Sequence, residues 1–110
     1  MTPGDTAGYI GLFLKSAKEH IQALEILLSS EKLPDTKEIF RHIHSLKGAS
    51  QMMGYKDIAA LCTEIIGYIR PEGVILKANE EHINSIKRTI EHIKERLRVL
   101  EPEKMGEVVS

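Results

Sequence analysis

Tryptophan is absent from this 110-residue chain, and aromatic residues make up only 5% of it. A core without large rings has to be built from aliphatic side chains, here Ile, Leu, Met and Ala. Cysteine occurs once, at Cys62, which excludes an internal disulfide and fits a reducing compartment. No apolar run approaches the roughly 20 residues that span a bilayer. The N-terminus, MTPGDTAG, lacks the basic-then-apolar pattern of a secretory signal. A formal charge of -1 gives no drive toward nucleic acid or an anionic membrane surface. Neither a Walker-type glycine loop nor an Asp-Phe-Gly motif is present, so the chain has no ATP site of its own. What is there, 42% hydrophobic and 28% charged residues, is the composition of one soluble globular domain, expected in the cytoplasm.

The period-two alternation of strands is also missing, and apolar residues recur at three and four instead. Ile10, Phe13, Ala17, Ile21, Leu24 and Leu28 make one stripe, which stops near SSEKLPD. Asp35, with Glu38 three residues on, predicts a capping-box opening of a second helix. Its stripe is Ile39, Ile43, Leu46, Ser50 and Met53, and Gly54 suits a left-handed stop. A third stripe, Ile58, Leu61, Cys62, Ile65 and Ile69, is expected to end at Pro71, reinforced by Gly73. Asn79 with Glu80 and Glu81 marks the start of a fourth helix, there or a few residues earlier. Its stripe is Ile83, Ile86, Ile90, Ile93, Leu97 and Leu100, and Pro102 is expected to close it. Short connections between such helices predict an all-α fold, an antiparallel up-down-up-down four-helix bundle over residues 1–101. Residues 102–110 read as a polar tail or linker.

Within the second helix, RHIHSLKGASQMMGY (residues 41–55) carries two histidines, a lysine and an interior glycine. At about 100° per residue, His44 lies about 100° from Ile43, outside the stripe, with Phe40, Gln51 and Lys47 between it and the core. His42 lies on the opposite flank, beside Glu38, so the two histidines cannot act as a pair. Lys47, at i+3, brings an ammonium to the His44 side. Gly48 costs about 1 kcal/mol relative to alanine in a helix interior. One turn from His44, it leaves room for another surface to reach the ring. Free imidazole titrates at about pH 6.5, so one ring nitrogen is unprotonated at cellular pH. An exposed imidazole, a nearby cation and a steric gap suit a histidine that takes and releases a phosphoryl group, chemistry that rests on positioning and electrostatics.

Three other readings fall away. No Glu-x-x-His pair exists, which removes a di-metal carboxylate bundle. Met53 falls on the core stripe and Met52 on the outer side, so the pair reads as packing rather than a soft-metal site. Lys87, Arg88, Lys94, Arg96 and Arg98 alternate with Glu91 and Glu95, a solvated face rather than a nucleic-acid surface. His20, His82 and His92 read as solvated residues.

HSLKGASQMMGY, from His44 to Tyr55, resembles the signature of histidine-phosphotransfer (HPt) domains. That signature is an acceptor His, an apolar residue followed by Lys-Gly, and a second Gly ten positions after the His with an apolar or aromatic residue behind it. His44, Leu46, Lys47, Gly48, Gly54 and Tyr55 all match, and IAALC, ending at Cys62, fits the next part. YIGLFLKSAKEHIQALEILL is similar to the first helix of the N-terminal HPt domain of chemotaxis histidine kinases. The resemblance covers about residues 8–100 of the chain. It implies a four-helix bundle that relays phosphate between response-regulator receiver domains, or from a kinase domain to a receiver. It implies His44 as acceptor through Nε2, with Lys47 stabilising the phosphate charge and Gly48 giving access. Phe40, Gln51, Met52 and Tyr55 are the candidate partner contacts. The expected partners are a receiver domain and a histidine kinase catalytic domain, without nucleic acid or membrane, the domain itself being a monomer. It is expected to bind no cofactor or metal, with Mg²⁺ coming from the partner.

The chain departs from the family pattern in one respect. Many members place Glu or Gln twenty-two positions after the acceptor, where it hydrogen-bonds the ring, and chemotaxis kinases place a His nineteen positions after it. Here those positions are Ile66 and Thr63. An isoleucine cannot orient an imidazole by hydrogen bonding, and Glu64 lies about 200° around the helix from Ile66. Thr63 and Gln51 are the remaining candidates. The alternative function is therefore an HPt-like docking module that binds receivers or kinases without taking phosphate.

Overall fold

The computed structural model describes residues 3–70 and 79–109, with side chains over 8–70 and 79–101. Four helices make up the described chain: α1 (Pro3–Ser29), α2 (Thr36–Met53), α3 (Lys56–Ile69) and α4 (Glu80–Val109), with no strand among the described residues. They form a helical bundle. α1 packs against α2 and α4, and α3 packs against the same two. The stripes read from the sequence form one core, save that Met53 and Leu61 stay half-buried at its edge. Leu14 and Ala59 join it as buried side chains outside those stripes. Leu14 is buried because α1 is enclosed on two sides and needs a wider apolar face than a single stripe. Each fully buried Ile or Leu contributes about 1.5–3 kcal/mol of transfer free energy, which is what holds the helices together.

Local chemistry sets the ends of α2. Asp35 is extended (φ -72, ψ 113), and its Oδ1 accepts the Lys37 backbone N–H at 2.9 Å. Only half of the expected capping box forms, because the Glu38 carboxylate is drawn to the Arg41 guanidinium at 2.5 Å. At the other end Gly54 adopts the left-handed conformation (φ 78, ψ 16). Its N–H donates to the Gln51 carbonyl at 3.1 Å, and the Tyr55 N–H donates to that of Ser50 at 2.9 Å. Across this turn α3 packs against α2. Arg70, one residue past α3, consequently sets its guanidinium 4.9 Å from the centre of the Phe40 ring near the start of α2. Pro71 and Gly73, the expected stop for α3, lie outside the described residues.

Asn79 opens α4 as expected: its Oδ1 accepts the His82 N–H at 2.8 Å and its carbonyl accepts the Ile83 N–H at 2.9 Å. Pro102 does not close the helix, which runs on to Val109. Proline there removes one N–H donor, whose partner would be the Arg98 carbonyl, and Arg98 sits on the exposed face where water can serve that carbonyl. α4 thus continues past the position at which its stop was expected. Among the described residues no helix is long and apolar enough to cross a membrane.

Candidate functional site

α2 carries Ile39, Ile43 and Leu46 into the core at full burial, which fixes its rotation and leaves His44 on the solvent side. Gln51 and Met52 are also exposed, Met52 at 90%. Phe40, Lys47, Gly48 and Tyr55 are half-buried. A Cβ added at Gly48 would meet nothing within 4 Å, so internal packing does not require glycine there.

The His44 ring rests on Phe40, one helical turn earlier, with centroids 5.3 Å apart and planes 19° from parallel. Phe40 is itself packed against the core, and the Arg70 guanidinium lies over it. Among the described residues no side chain hydrogen-bonds the His44 ring. Of the positions that could have done so, Gln51 turns its side chain to solvent and the others are engaged elsewhere. Ile66 packs on the core, the Thr63 hydroxyl donates to the Ala59 carbonyl at 3.0 Å, and the Glu64 carboxylate accepts the Tyr68 hydroxyl at 3.4 Å.

Lys47 faces the seam between α2 and α3, where its charge acts on Cys62. Burial pushes the Cys62 thiol up to about 12, with Lys47 pulling the other way. The thiol is neutral at cellular pH, which removes it as a nucleophile. The Tyr55 ring meets Phe13 edge-on at 5.0 Å and 63°, tying the α2–α3 turn to α1. Of the four candidate contact residues, then, Gln51 and Met52 offer their side chains to solvent, while Phe40 and Tyr55 offer only part of theirs.

His42 has a different setting. Its Nδ1 lies 3.0 Å from the Nδ1 of His20 on α1, with the two rings edge-on at 5.3 Å and 64°. Burial, then the charge of His42, lowers the His20 pKa, and Glu19 opposes both. His20 is thus no solvated residue, contrary to the sequence expectation. A single-helix wheel cannot say which residue of α1 meets α2, so this pair carried no signal in the sequence. His82 is likewise half-buried, beside Asn79. Among the described residues no group of three or more His, Cys, Asp or Glu could hold a metal ion.

Comparison with known proteins places this geometry in context. The chemotaxis protein CheA of Listeria monocytogenes is 43% identical over 61 residues, covering 51% of this chain and 10% of that protein. The chemotaxis protein CheA of Bacillus subtilis is 44% identical over 62 residues, covering 52% of this chain and 9% of that protein. The match thus spans about a tenth of the length of these curated relatives. No solved structure gives a significant match. The family model described as Hpt domain matches residues 8–100, a span that holds α2, α3 and the His44 motif whole and most of α1 and α4, and the chain belongs to that family.

Proposed function

We propose that this chain is a phosphotransfer module of a two-component system, and that His44 exchanges a phosphoryl group with an aspartate of a response-regulator receiver domain. The observation that carries this reading is an exposed imidazole with open space one turn away at Gly48, in a chain of the Hpt family. The Nε2 lone pair attacks the phosphorus of the receiver's aspartyl phosphate. The N–P bond forms as the P–O bond to the carboxylate breaks, and the carboxylate leaves with the electron pair. The proton on Nδ1 passes to water when the ring returns to neutrality. Lys47, at i+3, supplies positive charge to the transferring group. Mg²⁺ belongs to the partner, whether a receiver or a kinase catalytic domain that first loads His44.

Gln51 and Met52 form the exposed part of the docking surface, with Phe40 and Tyr55 at its buried edge. A groove of about 410 Å³ lined by Gln51, Gly54, Lys56, Ala59, Ala60 and Thr63 runs beside them and suits an approaching helix. Contacts between helices support the antiparallel up-down-up-down arrangement: Phe13 with Tyr55 and His20 with His42 across α1 and α2, and Lys94 with Glu25 and Lys18 with Glu101 across α1 and α4. The relatives' names support a chemotaxis pathway, and partners of this kind support a cytoplasmic location.

Docking without phosphate is the competing reading, favoured by Ile66 and by the lack, among the described residues, of a side chain hydrogen-bonded to the ring. Incubation with a receiver loaded by acetyl phosphate separates the two. Acid-labile, alkali-stable label is expected on the wild type and on His42→Ala, and none on His44→Gln. Label that persists in His44→Gln would move the acceptor elsewhere. Receiver binding with no label on the wild type would establish the docking module.

A further inference from the structure

The acceptor reading leaves a mechanical question open. A nucleophilic imidazole has to be held at a fixed angle to attack in line, yet no side chain among the described residues hydrogen-bonds His44. The α2–α3 turn at Gly54 brings residue 66 to the level of residue 44, the same register that sets Arg70 against Phe40 and Lys47 against Cys62. At that level stands a hydrocarbon, Ile66, half-buried on the core.

The ring is nevertheless not loose. It lies nearly parallel to Phe40 at 5.3 Å, and Phe40 is fixed by the core on one side and by the Arg70 guanidinium 4.9 Å from its centre. Aromatic pairs in offset-parallel geometry attract beyond their buried area, and a guanidinium over a ring adds a cation–π attraction. A stack differs from a hydrogen bond in what it restrains. It fixes the plane of the imidazole while leaving both nitrogens at the open rim, so it orients the ring without choosing the tautomer. A hydrogen bond to Nδ1 would fix both.

We propose that Phe40, backed by Arg70, is the positioning residue for His44, holding by stacking the ring that a hydrogen-bonding side chain at position 66 would otherwise hold. This rests on His44 being the phosphoacceptor. It explains how Ile66 is compatible with phosphotransfer, and it gives Phe40 a role inside the domain rather than only at the receiver interface.

The test follows transfer from acetyl-phosphate-loaded receiver as receiver concentration is raised, so that maximal rate and half-saturation are read separately. Phe40→Leu keeps an apolar side chain of helix-forming type and loses the stack. Its maximal rate is expected to fall about five-fold, within the range that an aromatic pair supports, whatever the change in half-saturation from its place at the edge of the docking surface. Phe40→Tyr, which keeps a ring, is expected to hold the wild-type rate. Ile66→Gln should restore most of the rate lost in Phe40→Leu, because either device can orient the ring, and should add less in the wild-type background. A role in packing or docking alone would not be rescued from position 66. An unchanged maximal rate in Phe40→Leu, or an equal effect of Ile66→Gln in both backgrounds, would overturn the proposal.

A second readout needs no phosphate. The carbon-bound ring protons of His44 should show the upfield ring-current shift of a stacked imidazole by NMR, and lose it in Phe40→Leu. If they do not move, the positioning role is wrong even when His44 takes label. If they move but the wild type takes no label, it is the acceptor reading that fails.

Discussion

Two flanks of one helix carry two histidines at nearly equal angles from Ile43, with opposite outcomes. His44 is exposed and rests on its own helix through Phe40, whereas His42 is half-buried and reaches across to His20 of α1. Part of the difference comes from what stands opposite. Beyond His44 on the same flank, a groove is lined by Gln51, Gly54, Lys56, Ala59, Ala60 and Thr63. Beside the other flank α1 offers His20, and near the turn Phe13, whose rings fill the space. The core stripe of α2 is centred on the His42 side of Ile43, about 60° from His42 and about 140° from His44, so helix geometry already turns His42 toward the interior. The rings of α1 complete its enclosure.

If the two flanks divide function from stability, substitutions should divide in the same way. His44→Gln is expected to take phosphoryl label to background while changing unfolding free energy by no more than about 0.5 kcal/mol, the usual range for an exposed site. His42→Ala is expected to keep the label and cost about 1 kcal/mol, because it removes a half-buried contact with α1. Parallel urea titrations and transfer assays read both quantities. A destabilised His44→Gln with a stable His42→Ala would reverse the comparison.

Both flanks depend on the turn that follows. Gly54 holds φ 78 with open space around it, so a substituent there meets no clash and is opposed only by its own backbone preference. Gly54→Ala should cost about 1–2 kcal/mol, the penalty of a left-handed conformation for an L-residue. Gly48 makes the informative contrast. It also has open space but lies within α2, so Gly48→Gln should stabilise the fold by about 0.5–1 kcal/mol. The same change should slow transfer, because the new side chain occupies the approach to His44. A Gly48→Gln domain that is more stable and equally fast would mean that access at this point does not limit the reaction.

These contrasts also explain what could be read from the chain alone. Helix number, two of the four stripes in full detail and the Gly54 stop follow from periodicity and conformational preference, which are properties of one helix at a time. The same is true of the His44, Lys47 and Gly48 grouping. Thr36 and Thr89 are buried although polar, and the Thr89 hydroxyl is satisfied within its own helix by donating to the Ser85 carbonyl at 3.0 Å. The His20–His42 pair and the Arg70–Phe40 contact each join residues of different segments. Their partners are set by the rotation and register of helices against each other, which no single-helix wheel contains. Pro102 failed as a boundary signal because one missing N–H does not by itself end a helix whose stripe, through Leu97 and Leu100, is still held by the core.

The smallest expected effect tests whether the His42 flank behaves as a coupled pair. Burial and then the charge of His42 lower the pKa of His20 from its ordinary 6.5. Below that value the unfolded chain takes up a proton more readily than the folded one. The resulting contribution to stability is complete above pH 6.5 and is lost as pH falls toward the depressed folded value. Between pH 7.5 and 5.5, where most carboxylates stay ionised, the urea midpoint of the wild type should therefore fall with acidification. His20→Gln should flatten that dependence, and His42→Gln should flatten it less, since it removes the neighbour's charge and leaves the burial. Glu19→Gln should steepen it, because Glu19 favours the protonated ring. The order of these slopes is the sensitive readout: if His20→Gln leaves the pH dependence of the wild type intact, the two rings share a contact without sharing a titration.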